Sequence, residues 1–119
     1  MSVILVVEDD QPTQFLLRTL IARGGYECVL ATNGNEAIEL LGTRTFDVIV
    51  LDLMMPVLGG DGVLQHIRES GIRTPVIVCT AAAPLASDQF DPATVRAVIR
   101  KPFDIDHFAA TLATLAPVK

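Results

Sequence analysis

Short runs of branched apolar residues alternate along this chain with longer segments whose apolar positions recur every three or four residues. Val3–Val7 is apolar at every position, the mark of a strand covered on both faces rather than on one. Asp10-Gln-Pro-Thr opens a helix, with Pro12 in the first turn, where a missing N–H is tolerated. Phe15, Leu16, Thr19, Leu20 and Arg23 follow at helical spacing, and Gly24-Gly25 ends the run. Glu27–Ala31 reads as a second, weaker strand. Asn33-Gly-Asn-Glu36 has the form of a capping box, and Ala37, Leu40 and Leu41 give the next helix its apolar stripe. Phe46–Asp52 is a third strand that ends on a carboxylate. Gly59–Ser70 is a third helix carrying Val63, Leu64 and Ile67. Pro75–Thr80 and Val95–Ile99 are strands four and five, and Asp104–Leu115 is a closing helix with Phe108, Leu112 and Leu115 on one side.

Five apolar strands separated by helix-length segments predict an α/β fold of three layers, a parallel sheet with helices on both faces. One stretch resists the pattern. Between Thr80 and Val95, Pro84 and Pro92 leave only a short window for a helix, so the fourth helix is expected to be short, irregular or mobile.

Composition narrows the class without changing the architecture. The chain has 119 residues, half of them hydrophobic and 19% charged, with a formal net charge of −5. That predicts one domain over 1–119 with a real core, and excludes a disordered chain. Two cysteines, Cys28 and Cys79, are too few for a disulfide scaffold or a cysteine-rich zinc site. Cys79 lies in the apolar run Pro75–Thr80 and reads as a buried small hydrophobe. No apolar stretch reaches the roughly 18 residues of a membrane span. The first ten residues lack a basic region and a small-residue cleavage site, so a cytoplasmic location is expected. The acidic balance argues against direct nucleic-acid binding, which needs a basic footprint.

The acids are not scattered. Glu8, Asp9 and Asp10 stand just past strand one and Asp52 at the end of strand three. Thr80 ends strand four, and Lys101-Pro102 follows strand five. In an open parallel sheet, ligands bind beyond the carboxyl ends of the strands. These polar groups should therefore gather at one edge. Carboxylates brought that close repel one another, and a hard divalent cation such as Mg²⁺ relieves the repulsion. An aspartate can act as a nucleophile and form an aspartyl phosphate. Lys101 supplies a point charge for Asp52 or for phosphate oxygens, and the Thr80 hydroxyl can donate to an oxyanion. Alone, each residue has an ordinary role: a solvated turn, a helix cap, a strand-end hydroxyl, a surface charge. Their joint placement after strands one, three, four and five is what points to phosphoryl chemistry.

Over essentially its whole length the chain resembles the receiver domain of bacterial two-component response regulators. The resemblance rests on Ile4-Leu-Val-Val-Glu-Asp-Asp10, Val50-Leu-Asp-Leu-Met-Met-Pro56, Gly60 with Val63-Leu64, Pro75-Val-Ile-Val-Cys-Thr80-Ala81 and Lys101-Pro-Phe103, in that order. It implies a flavodoxin-like, doubly wound sheet of order 2-1-3-4-5. It also implies that Asp52 is the phosphoacceptor. Asp9 would hold Mg²⁺ (or Mn²⁺) directly, Glu8 through water, and the Met54 carbonyl would add a ligand. Thr80 would be the switch hydroxyl, Lys101 the phosphate-contacting lysine, and Lys101-Pro102 a cis peptide. Ala81 is small and would leave the phosphoryl group room. The implied partners are a sensor histidine kinase or histidine phosphotransfer protein as donor. Downstream stands an effector protein, or an effector domain beyond these residues, with a homodimer possible. Such a domain assists its own phosphorylation and dephosphorylation without being a turnover enzyme.

Three positions depart from the family pattern. Val98 stands where an aromatic residue commonly sits three positions before the lysine, and it has no ring to turn inward. Asp91-Pro92 replaces the usual turn before strand five, on the face that commonly carries output. Gly59 stands where an aspartate often precedes Gly60; as a helix cap, glycine should cost only a few tenths of a kcal/mol. These departures motivate an alternative reading, a docking or scaffold module indifferent to phosphorylation. A phosphohydrolase fits less well, because Met54 occupies the place of its second aspartate. A dinucleotide-binding fold fits poorly, because acids rather than a glycine-rich turn follow Val3–Val7.

Overall fold

The computed structural model describes residues 1–81 and 90–116. The elements in chain order are β1 (Val3–Val7), α1 (Gln11–Arg23), β2 (Glu27–Ala31), α2 (Gly34–Thr43), β3 (Val48–Leu51), α3 (Gly60–Glu69), β4 (Val76–Thr80), β5 (Val95–Arg100) and α4 (Ile105–Leu115). The strands form one parallel sheet in the order β2-β1-β3-β4-β5. Most of the window expected to hold a short, irregular helix, residues 82–89, lies outside the described residues.

Alternation along the buried strands divides the core in two. Ile4 and Val6 of β1, with Ile77 and Cys79 of β4, pack with Leu17 and Ile21 of α1 and Phe108 and Leu112 of α4. Leu5 and Val7, with Val76 and Val78, pack on the other face with Ala37 of α2 and Val63 and Ile67 of α3. Strands β1, β3 and β4 have no solvent face, which is why their sequences are continuously apolar.

The first helix buries a different face from the one its sequence suggests. Leu17, Leu20 and Ile21 are buried, whereas Phe15 is 73% exposed and Leu16 borders on exposed. Phe15-Leu-Leu17 and Leu20-Ile21 fit two helical phases, and only packing against the sheet and α4 chooses between them. The second phase also places Arg23 in solvent.

Strand three is shorter than the expected Phe46–Asp52. Before it, the Asp47 carboxylate accepts the Val3 N–H at 2.7 Å and the Phe46 carbonyl accepts the Thr74 hydroxyl at 3.2 Å. Both residues therefore tie the chain to its neighbours ahead of the strand, and the Asp47 N–H also donates to the Val3 carbonyl at 2.8 Å. Other boundaries move by one residue, because Gly59 and Asp104 are caps outside α3 and α4. Asp104 accepts the N–H groups of Asp106 and His107, and Asp10 accepts that of Thr13 at the start of α1. Asn33 caps α2 through the Glu36 N–H, while the Glu36 carboxylate reaches back to Thr32, one residue before the cap.

Candidate functional site: an acidic pocket at the carboxyl edge of the sheet

Parallel pairing fixes where the polar residues meet. Val7 pairs with Leu51, and Leu51 with Val78, so the chain leaves β1, β3 and β4 at one edge. Thr80 pairs with Arg100, which delivers Lys101 to the same edge.

Asp52 sits one residue past β3. Its N–H still donates to the Val7 carbonyl at 3.0 Å, so the ladder holds its backbone. Its side chain is almost fully buried. Oδ1 accepts the Met54 N–H at 3.1 Å, and Oδ2 lies 3.5 Å from Lys101 Nζ. Glu8 is more constrained still, at 1% exposure. Its N–H donates to the Ala31 carbonyl at 3.0 Å, Oε2 accepts the Asp10 N–H at 3.3 Å, and Oε1 accepts Lys101 Nζ in an ion pair. Asp9 is exposed at the mouth. Glu8, Asp9 and Asp52 each offer an oxygen, all within 4.8 Å of one another.

The structure thus brings together Glu8, Asp9, Asp52 and Lys101. Thr80 is fully buried beside them, its carbonyl accepting the Lys101 N–H at 3.0 Å. The Lys101–Pro102 peptide is cis, and Ala81 is exposed at the end of β4. Met54 directs its N–H to Asp52, and its side chain lies largely in solvent. Val98 lies in β5, half-buried and packed with the Leu5 and Val7 side of the core. Asp91 closes the turn into β5: its carbonyl accepts the N–H groups of Thr94 and Val95.

Two features were not visible in the sequence. Glu8, more than Asp52, is the close partner of Lys101. Gln14, in the first turn of α1, donates its carboxamide N–H to the Glu8 carbonyl at 2.7 Å. The second had one available signal, a long amide one helical turn beyond the cap Asp10.

The charges explain what the pocket can hold. Burial pushes the Glu8 carboxyl up to about 7; the Lys101 hydrogen bond opposes this, while Asp52 adds to it. Burial alone would lower Lys101, but the bond and charge of Glu8, joined by the charge of Asp52, hold it above its ordinary value. Burial pushes the Cys79 thiol up to about 12, so it packs as a neutral group. One lysine thus faces two buried carboxylates and a third at the mouth. The donors are all hard oxygens, the set that suits Mg²⁺, and a divalent cation would offset both the burial of Glu8 and its repulsion by Asp52.

A groove of about 710 Å³ lies elsewhere, between α3 and the start of β5, lined by residues including Leu64, Arg68, Phe90 and Thr94. Glu8, Asp9, Asp52, Thr80 and Lys101 are not among its lining residues. No helix among the described residues is long and apolar enough to cross a membrane.

Known proteins resemble this chain in sequence and in fold. The transcriptional regulatory protein DltR of Streptococcus agalactiae is 34% identical over 111 residues, covering 92% of this chain and 49% of DltR. The chain therefore spans about half the length of that relative. The response regulator protein TrrA of Thermotoga maritima, solved in complex with Mg(2+)-BeF, superposes with a TM-score of 0.86 at 30% identity, covering 97% of this chain and 99% of that one. The receiver domain of a Pseudomonas aeruginosa sensor histidine kinase, solved with a magnesium ion coordinated in its active site cleft, gives a TM-score of 0.83 at 30% identity, covering 96% of each chain. The family model of the response regulator receiver domain matches residues 4–113, and with the five-stranded sheet and its acidic edge this places the chain among the receiver domains of two-component response regulators.

Proposed function

We propose that Asp52 accepts a phosphoryl group from a phosphohistidine, and that the resulting aspartyl phosphate shifts a protein-interaction surface of this domain. Phosphorylation-controlled switching is general to the family. The observation that carries the assignment here is the pairing of a buried aspartate with a lysine and two further carboxylates at the sheet edge.

An oxygen of Asp52 attacks phosphorus, the P–N bond to the donor imidazole breaks, and an acyl phosphate remains. The Met54 N–H and the anchored backbone hold the carboxylate in place for attack. Lys101 Nζ, already within 3.5 Å of Asp52, supplies positive charge to the incoming phosphoryl oxygens. Thr80, on the neighbouring strand, offers its hydroxyl to the product. Glu8, Asp9 and Asp52, with the Met54 carbonyl, would hold Mg²⁺ or Mn²⁺, which neutralises charge on the phosphoryl oxygens when bound. TrrA and the Pseudomonas receiver domain, both magnesium complexes of the same fold, support this reading.

The domain acts once per phosphoryl group and assists hydrolysis of its own product, so it is a switch rather than a turnover enzyme. Its donor is a histidine kinase or phosphotransfer protein in the cytoplasm, and its output is an effector protein or domain. Incubation with acetyl phosphate and Mg²⁺ should add the mass of one phosphoryl group to the wild type and none to Asp52→Asn. An unmodified wild type, or equal labelling of the variant, would refute the proposal.

Val98 favours a second reading, a docking module indifferent to phosphorylation, because no ring is available at that position to couple the site to the surface. Partner affinity that is unchanged by beryllofluoride would support it, and a large change would reject it.

A further inference from the structure

We propose that Gln14 is a positioning residue: its carboxamide, by holding the Glu8 carbonyl, orients the Glu8–Asp9 peptide and so sets where the Asp9 carboxylate meets Glu8 and Asp52. This rests on the cation-binding role proposed above for the three carboxylates.

Every polar group of Glu8 is tied to a different element. Its N–H goes to Ala31 of β2, its carboxylate to Lys101 and the Asp10 N–H, and its carbonyl to Gln14 Nε2 at 2.7 Å. Only the last of these restrains the peptide plane that leads directly into Asp9. Asp9 itself lies in solvent, and its placement depends on the backbone that presents it. Gln14 is well fixed for this work. Its own N–H donates to the Asp10 carbonyl at 2.9 Å, as the first helical bond of α1. Asp10 anchors that turn through the Thr13 N–H at 3.0 Å and the Thr13 hydroxyl at 2.6 Å. The geometry also settles which end of the amide faces inward, since a carbonyl can only accept.

The alternative is that Gln14 merely satisfies a carbonyl at a turn. The two roles separate by measurement. Gln14→Met removes the donor at nearly constant length. Gln14→Glu removes it while adding a negative charge which, by Coulomb attraction alone, would tighten cation binding. Each full chain is titrated with Mn²⁺ at pH 8, free ion being followed by electron paramagnetic resonance. Thermal unfolding in chelator reports the fold. Loss of a group that orients a metal ligand typically weakens affinity by about 10–100-fold. The expected result is Mn²⁺ binding weakened about tenfold in both variants, with midpoints in chelator close to wild type. Unchanged binding in Gln14→Met, or tighter binding in Gln14→Glu, would overturn the proposal while leaving the cation site standing. If Gln14→Met does not fold, Gln14→Glu decides alone. A wild type that binds no Mn²⁺ would overturn the cation site and this inference together.

Discussion

Replacing Glu8 by glutamine should stabilise the metal-free domain at high pH and leave it nearly unchanged at low pH. Glutamine imitates the protonated glutamate in size and polarity. The folded protein holds the Glu8 proton up to about pH 7, against an ordinary value of 4.5. Between those values the native state binds more protons than the unfolded chain, so wild-type stability falls as pH rises through the window. Each pH unit is worth about 1.4 kcal/mol, which gives ~3 kcal/mol lost by pH 8. At 1% exposure Glu8 has little solvent screening to reduce that figure. The Lys101 ion pair is already included, because it opposes the rise. The glutamine carboxamide does not titrate, so E8Q should gain on the wild type steadily from about pH 4.5 and level off above about pH 7. Urea unfolding followed by circular dichroism at intervals from about pH 5 to 8.5, in chelator, measures the gap. A gap that is constant across that range, or that opens toward acid, would refute the electrostatic reasoning. Added Mg²⁺ should then stabilise the wild type more than E8Q, because only the wild type retains all three carboxylates.

Three further outcomes follow from the packing. Gly60→Ala should destabilise by about 1–3 kcal/mol and slow labelling by acetyl phosphate. A Cβ there would stand 2.6 Å from the Asp52 carbonyl oxygen and 2.7 Å from Leu53 Cα, both backbone. Val57→Asn should stabilise by about 1 kcal/mol in urea unfolding, since Val57 holds φ at 71° with 86% of its surface exposed, and branched residues tolerate that region poorly. Phe108→Ala should cost about 3–5 kcal/mol, because its ring is fully buried and stacks at a tilt on Phe103, 5.4 Å between centroids.

The strands were legible because β1, β3 and β4 are buried on both faces, and burial on both sides writes itself as an unbroken apolar run. Parallel topology then carried Glu8, Asp52, Thr80 and Lys101 to one edge, so the membership of the pocket could be read before its geometry. The inward face of α1 could not. Its two apolar phases differ only in what they meet across the interface, and Leu17 wins over Phe15 for a reason that lies in the sheet and α4 rather than in the helix. The division of labour among the acids was hidden in the same way. Asp10 could be read as the start of a helix from Asp10-Gln-Pro-Thr, but nothing in Glu8-Asp-Asp10 says that the first is buried against Lys101 and the second is exposed. Each role depends on where the chain turns after Val7. Gln14 escaped notice because its partner is a backbone carbonyl, which no side-chain pattern reveals.

The anchoring of Asp52 sets limits on how a signal could leave the pocket. Its amide is locked to β1, its strand is flanked on both sides, and the four strand residues before it are completely interior. Such a position belongs to the last part of a domain to open. Asp52 is therefore the most firmly tethered of the pocket carboxylates on its backbone side. Among the described residues, the groups tethered less fully are the Lys101 side chain, the mouth at Asp9, and the loop between Asp52 and Gly60 that holds the strained Val57. A modification of a side chain whose backbone is held this fully would be read out at the rim of the sheet rather than within β3.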